Sequence, residues 1–312
     1  MIKKVAVIGT GVIGTGWIIR CLAHNFKVVA YDKDPRLKKK IIEEIRRASP
    51  FVKKLFNKKK INLKNFQYVT SLEIVLKDAD FIQENATENY KIKIKLMNLI
   101  GKYAKNSAII SSSSSGLLPT KIYSKCRNPA RTMIGHPFNP VYLCPGVEVV
   151  AGKKTKTKFL NKANKFYKSI SMNPIIVKKE LPGYLADRLQ EALWREGLHI
   201  INEGYATTKD LDRAIEDGPG LRWSLMGTFL TFHLAGGKLG MKHMLEQFGP
   251  ALKLPWTKLK APKLSKKLSS RVISGTKSQA KGKSVAMISS IRDEYLVNLQ
   301  KLRKKYEDKL RK

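Results

Sequence analysis

Cysteine is scarce in this chain: Cys21, Cys126 and Cys144 are the only three among 312 residues, and they lie far apart. An odd, scattered set without paired ligand spacing excludes a disulfide framework or a zinc cluster and fits a reducing compartment. Long apolar runs are missing as well. No stretch nears the ~20 residues that span a bilayer. Met1-Ile2-Lys3-Lys4 leads straight into Val5-Ala6-Val7-Ile8, without the longer apolar region and cleavage site of a secretory leader. The expectation is a cytoplasmic protein with no membrane partner. Acid is the third shortage, with 24 Asp and Glu against 61 Lys and Arg and a formal net charge of +37. Such an excess ordinarily raises nucleic acid, because cationic side chains release counterions from phosphates. Here the charge is mostly Lys, spread along the chain in short clusters such as Lys38-Lys39-Lys40, Lys58-Lys59-Lys60 and Arg303-Lys304-Lys305. No nucleic-acid motif, aromatic-basic interleaving or disordered tail accompanies them. A solvated lysine surface is therefore expected, with weak attraction to polyanions at low salt and no specific nucleic-acid partner.

What is present is enough for one large or two medium domains, at 43% apolar residues. The first half alternates short apolar strands with helical stretches, the pattern of a parallel sheet covered on both faces. Strands are expected at Lys4–Ile8, Lys27–Tyr31, Asp80–Ala86, Ser107–Ser111, Arg131–His136, Val147–Ala151 and Pro174–Val177, and helices at Val12–Asn25, after Pro35 and at Tyr90–Tyr103. Past Leu181-Pro182-Gly183 the texture changes. Leu185, Leu189, Leu193, Ile200 and Ile201 recur at helical spacing, and a last amphipathic helix starts near Ser284. The fold class expected is α/β: a Rossmann-type doubly wound, mostly parallel sheet over residues 1–180, followed by an all-helical domain over 181–312.

Gly9-Thr10-Gly11-Val12-Ile13-Gly14 is a G-x-G-x-x-G turn placed after a strand and opening a helix. The first glycine permits the tight turn, the second lets backbone approach a pyrophosphate, and the third lets helix pack on strand. The helix N-terminus offers N–H groups and partial positive charge to the phosphates. Asp32 ends the second strand 18 residues after Gly14. A carboxylate there accepts from a ribose diol and repels a 2′-phosphate, so NAD is the expected cofactor rather than NADP. Gly135-His136-Pro137-Phe138-Asn139-Pro140-Val141, followed by Glu148, carries the candidate chemistry. An imidazole accepts a proton near neutral pH, a carboxylate orients it, and an amide holds the reacting oxygen. By spacing alone this remains open, since a histidine between strand and loop is often only structural. Ser111 to Ser115 reads as a polar loop in which one hydroxyl could hold a substrate oxygen.

These motifs, with Phe81-Ile82-Gln83-Glu84-Asn85-Ala86-Thr87-Glu88-Asn89 and Pro182-Gly183-Tyr184, resemble in order and spacing the 3-hydroxyacyl-CoA dehydrogenase superfamily. The resemblance implies that His136 and Glu148 form a proton-transfer dyad, that Ser115 and Asn139 touch the substrate oxygen, and that Glu88 and Lys93 line the nicotinamide side of the cofactor. It also implies a homodimer built on the second domain. Two departures narrow it. Asp187-Arg188 stands where an Asn-Arg pair is usual, and Gly218-Pro219-Gly220-Leu221-Arg222-Trp223 replaces the usual Gly-x-Pro-Met-Gly-Pro segment. With Gln247-Phe248-Gly249-Pro250, these resemble the lambda-crystallin-like branch, whose members act on small 3-hydroxy acids, and within it those acting on L-carnitine. A trimethylammonium group calls for aromatic faces and negative charge, and Trp194, Trp223, Phe229, Phe232 and Trp256 are at hand, with Asp187 or Glu191 to add charge. Each aromatic also reads as ordinary helical core. L-Gulonate or 3-hydroxybutyrate are the rival substrates, and a catalytically idle structural or polyanion-binding protein is the rival of another class.

Overall fold

The computed structural model describes residues 2–57, 61–258, 260 and 262–310, so the Lys58-Lys59-Lys60 cluster lies outside the described residues. Eight short runs rich in β-branched residues become strands of one sheet. They are β1 (Lys4–Ile8), β2 (Lys27–Tyr31), β3 (Phe66–Val69), β4 (Phe81–Glu84), β5 (Ile109–Ser112), β6 (Thr132–Pro137), β7 (Gly146–Ala151) and β8 (Asn173–Val177). Their order is β3-β2-β1-β4-β5-β6-β7-β8. Neighbours are parallel except β6 and β7, which run antiparallel. The expected doubly wound, mostly parallel sheet is therefore present. Strand β3 was not foreseen, because at the sheet edge its half-exposed Phe-Gln-Tyr-Val run lacks the apolar continuity of the central strands. The chain goes outward from β1 to β3 and returns to β4 on the other side of β1. The crevice at that reversal, beyond the carboxyl ends of the strands, is where such sheets bind ligands.

Helices cover the sheet: α1 (Val12–Ala23), α2 (Leu37–Phe56), α3 (Leu72–Leu76), α4 (Tyr90–Tyr103), α5 (Pro119–Ile122) and α6 (Thr157–Ser169). Helix α2 buries Ile41, Ile45, Ala48 and Val52, a 4-3-4 spacing that gives it one apolar face, and it packs against α1. Helix α1 is almost wholly enclosed and carries a buried cation, Arg20. Its guanidinium donates to the carbonyls of Val141, Cys144, Ile170 and Ser171. One side chain thereby ties the β6–β7 connection and the end of α6 to the helix that starts at the glycine turn. Burial lowers its pKa to about 10, which leaves it charged at neutral pH.

The chain forms two compact units, Met1–Arg188 and Leu189–Lys312. The first turn of helix α7 (Ala186–Glu203) is counted with the sheet. The second unit is helical, with α8 (Thr208–Glu216), α9 (Pro219–Trp223), α10 (Gly227–Ala235), α11 (Met241–Phe248), α12 (Lys266–Ala280) and α13 (Val285–Leu310). Thr207 and Asp210 form a reciprocal capping box at the start of α8. Helix α13 begins where expected, but its apolar residues do not all pack: Val297 is buried, while Ile291, Tyr295 and Leu302 are exposed.

Candidate active site

The glycine turn leaves a cradle at the end of β1. Gly9 has φ +83°, and a Cβ on Gly14 would stand 1.9 Å from the Gly9 carbonyl oxygen, so a side chain at either place would break the turn. A Cβ on Gly11 would meet nothing within 4 Å, which means the space over this residue is open. Gly11 caps α1 without any side-chain hydrogen bond, and the first turn of the helix holds no acid. Its leading N–H groups are therefore available to an anion. Val12 is 72% exposed at the same spot. Asp32 is tied to the turn, its Oδ2 accepting from the Thr10 N–H and hydroxyl at 2.9 Å and its Oδ1 from the Lys33 N–H at 2.8 Å. The residues present fit a dinucleotide: the open backbone at Gly11 and the start of α1 would hold a pyrophosphate, and Asp32 a ribose diol.

His136 and Glu148 are twelve residues apart because they are directly opposite each other in the β6–β7 antiparallel pair. Register alone sets the two side chains on one face. His136 Nδ1 lies 2.8 Å from Glu148 Oε2. The other carboxylate oxygen accepts from the backbone N–H groups of Leu185 and Ala186, at 2.9 and 3.0 Å, where α7 begins. Burial pushes the Glu148 carboxyl up, but the bonds from His136, Ala186 and Leu185 outweigh it and hold the group below the ordinary carboxylate range. Glu148 is enclosed and His136 only 6% exposed. On the other side of the ring, Asp187 Oδ2 stands 3.9 Å from Nε2. The rings of Phe138 and Tyr184 lie 5.4 and 5.7 Å from the imidazole. Gly135 must lack a side chain, since a Cβ there would come within 1.9 Å of the Tyr167 hydroxyl.

The serine run divides sharply. Ser111 bonds to Tyr167, Ser112 donates to Glu84, Ser113 accepts from Trp17 and Gln83 and donates to Asn85, and Ser114 donates to Glu88. Four hydroxyls thus hold the loop together. Ser115 is exposed, and its backbone N–H donates to Glu88 Oε1 at 3.0 Å. Asn139 is exposed too, and among the described residues neither it nor Ser115 bonds to His136.

Glu84 is a residue the sequence reading did not single out. It is a fully buried carboxylate at the end of β4, and it accepts from Lys93 Nζ at 2.9 and 3.0 Å, from Ser112 and from the Ala86 N–H. A charged residue closing a short strand that opens on Phe81 and Ile82 was the available signal. Lys93, expected to line the cofactor, is only 1% exposed, because its ammonium is spent on Glu84, the Ala86 carbonyl and Glu88. It fixes the 84–88 segment from beneath rather than presenting an open cation. Removing one member of such a pair strands a buried charge, so Lys93→Met should cost about 3–5 kcal/mol. Glu84→Gln combined with Lys93→Met should recover much of that loss in urea unfolding; a double variant less stable than Lys93→Met alone would contradict the pairing.

Among the described residues no cluster of His, Cys, Asp and Glu could hold a metal ion, and no helix is long and apolar enough to cross a membrane. Four of the five aromatics considered for a cation wall, Trp194, Phe229, Phe232 and Trp256, are exposed in the helical unit rather than core.

Residues 4–181 match the 3-hydroxyacyl-CoA dehydrogenase NAD binding domain, and residues 183–282 match the C-terminal domain of the same family. An L-carnitine dehydrogenase of Oceanobacillus iheyensis is 50% identical over 297 residues, covering 95% of this chain and 97% of its own length. One from Pseudomonas putida is 47% identical over 296 residues, covering 95% and 92%. Among solved structures, the NAD+-dependent 5-formyl-3-hydroxy-2-methylpyridine 4-carboxylic acid 5-dehydrogenase superposes with a TM-score of 0.81 at 22% identity, over 97% of this chain and 99% of that one. The Escherichia coli 3-hydroxybutyryl-CoA dehydrogenase gives 0.66 at 23%, over 89% and 58%. Those two likenesses speak to the fold alone. The NAD binding domain of the family coincides with the sheet that carries the glycine turn, in accord with NAD as the cofactor. With both family domains matched in order from residue 4 to residue 282, the chain belongs to the 3-hydroxyacyl-CoA dehydrogenase family.

Proposed function

We propose that this protein oxidises the 3-hydroxyl of L-carnitine to 3-dehydrocarnitine, with His136 as the general base. The observation that carries the chemistry is the His136–Glu148 pair, because a carboxylate on Nδ1 assigns the proton-accepting role to Nε2. The substrate reading is supported by relatives named L-carnitine dehydrogenase at 43–50% identity over nearly the full length of the chain. Gly9 to Gly14 and Asp32 would hold NAD, and Glu88, braced by Lys93, stands for its nicotinamide end. NAD, once held there, would supply the hydride acceptor for C3. The hydroxyl proton goes to His136 Nε2, and Glu148 stabilises the imidazolium that results. Ser115 and Asn139 position the substrate oxygen, and their exposure leaves both side chains reachable. A positioned base typically contributes ~10²–10⁴-fold.

In this reading residues 1–180 are the NAD-binding domain and residues 181–312 the helical substrate-binding and dimerisation domain. Phe229, Leu230, Phe232, Leu234, Leu245 and Phe248 are all exposed on α10 and α11, and apolar surface gathered in this way marks an interaction face. We take its occupant to be a second copy, forming the homodimer; a monomer in sedimentation would rule that out. We take the compartment to be the cytoplasm, whose reducing conditions suit the free thiols of Cys21 and Cys126.

The test is NADH formation with L-carnitine, D-carnitine, L-gulonate, 3-hydroxybutyrate and a 3-hydroxyacyl-CoA. L-Carnitine should give the highest kcat/KM; a better rate with L-gulonate would transfer the reading to that substrate, and no turnover at all would favour the idle structural protein. NAD should be preferred strongly over NADP, since a 2′-phosphate would meet Asp32. Asp32→Ala should narrow the preference mainly by weakening NAD, and equal efficiency of both cofactors in the unaltered protein would contradict the assignment.

A further inference from the structure

We infer that Asp187 reads the positive charge of the substrate, selecting 3-hydroxy acids that carry a cation on the carbon beside the hydroxyl over neutral acids of the same length. The inference rests on the reading of His136 as the base for L-carnitine. It starts from the fact that His136 lies between two carboxylates of unlike situation. Glu148 is enclosed, and both of its oxygens are engaged, one by Nδ1 and one by the Leu185 and Ala186 N–H groups. It can serve the ring but not the substrate. Asp187 faces Nε2, the atom that must meet the hydroxyl, and its side chain is 30% exposed. At 3.9 Å its oxygen is outside hydrogen-bond reach of the ring, so it does not hold the imidazole as Glu148 does.

Position and chemistry agree. Asp187 follows directly on the two N–H groups that grip Glu148, so the start of α7 fixes dyad and carboxylate as one piece. A hydroxyl giving its proton to Nε2 lies about 2.6–3.2 Å from it. The quaternary nitrogen of L-carnitine is three bonds from that oxygen, roughly 3–4 Å away. The charge must therefore fall within a few ångströms of Nε2, the region where the Asp187 carboxylate stands. A quaternary ammonium has no N–H to donate, so charge and shape must recognise it. A neutral methyl in its place would draw no electrostatic gain from the carboxylate, which is the source of the discrimination.

The experiment compares L-carnitine with the matching enantiomer of 3-hydroxybutyrate, with NAD, in the unaltered protein, Asp187→Asn and Asp187→Glu. The ratio of kcat/KM for carnitine over 3-hydroxybutyrate should fall roughly 10- to 100-fold in Asp187→Asn, chiefly through KM, and recover in part in Asp187→Glu. Inhibition by 4-(trimethylammonio)butanoate, which lacks the hydroxyl, should weaken alongside it, whereas inhibition by butanoate should not. A merely structural role would lower both substrates together. An unchanged ratio, or unchanged inhibition by the cationic analogue, overturns the role of Asp187 while leaving the carnitine reading standing. An unaltered protein that prefers 3-hydroxybutyrate overturns the carnitine reading itself.

Discussion

His136→Ala should lower turnover by about 10²–10⁴-fold while NADH still binds near its original affinity. In the proposed reaction the ring takes the hydroxyl proton, and without it the orienting carboxylate would face empty space. The glycine turn and Asp32 belong to β1, α1 and β2, whereas His136 sits on β6, so the cofactor site should not feel the change. Stopped-flow hydride transfer, with NADH binding followed by fluorescence quenching, separates the two effects. Near-native turnover in His136→Ala would end the dyad assignment; loss of NADH binding in step with turnover would mean that the sheet itself had been disturbed.

The second large effect is expected of Glu148→Gln, and here tautomer decides. A carboxylate accepts only, so Nδ1 must carry the proton and Nε2 stays open to receive one. A glutamine that turns its NH₂ toward the ring reverses this, leaving Nε2 protonated and unable to act as base. If it turns its oxygen inward instead, the NH₂ confronts the Leu185 and Ala186 N–H groups, donor against donor. Either arrangement loses, and turnover should fall by about 10²–10⁴-fold, as when an orienting acid is neutralised in a triad. Stability should follow pH with a definite sign. The Glu148 carboxyl is held below the ordinary range in the folded chain, so its contribution is complete above the unfolded value, about 4.3, and is lost as pH falls through the folded one. The gap in unfolding free energy between the unaltered protein and Glu148→Gln should therefore close below about pH 4. Urea titrations across that range test it, and a gap that widened in acid would refute the account.

Much of the architecture was legible because it rests on short-range rules. Strands β1 and β2 and helix α4 fall where apolar runs and periodicity place them, to the residue. The glycine turn could be read in advance because steric crowding at Gly9 and Gly14 concerns only atoms a few positions away. The serine run was harder. Nothing local distinguishes Ser115 from Ser112, and only the surrounding strands turn one hydroxyl toward Glu84 and leave the other residue exposed. The burial of Lys93 and its pairing with Glu84 were out of reach for a related reason. A Lys on an amphipathic helix reads as surface, and its burial depends on a carboxylate nine positions away at the end of another element. The first compact unit runs on to Arg188, in keeping with the hold of Glu148 on the start of α7, while the two family domains meet between residues 181 and 183.

The amino-acid sequence by itself determined the class of fold, the nucleotide turn with its acid, and the short set of residues among which the chemistry had to be sought. These follow from chain stiffness, hydrophobic period and the room a glycine leaves, all of which act over a few residues. Only the tertiary structure decided which of those residues form a site. His136 meets Glu148 because β6 and β7 pair antiparallel in one register, and Glu148 meets the start of α7 some 37 residues further on. Asp187 comes to face Nε2 through that same meeting. Contacts between residues distant in the chain depend on register and packing, which arise only when the whole sheet closes over its core, and no local pattern contains them.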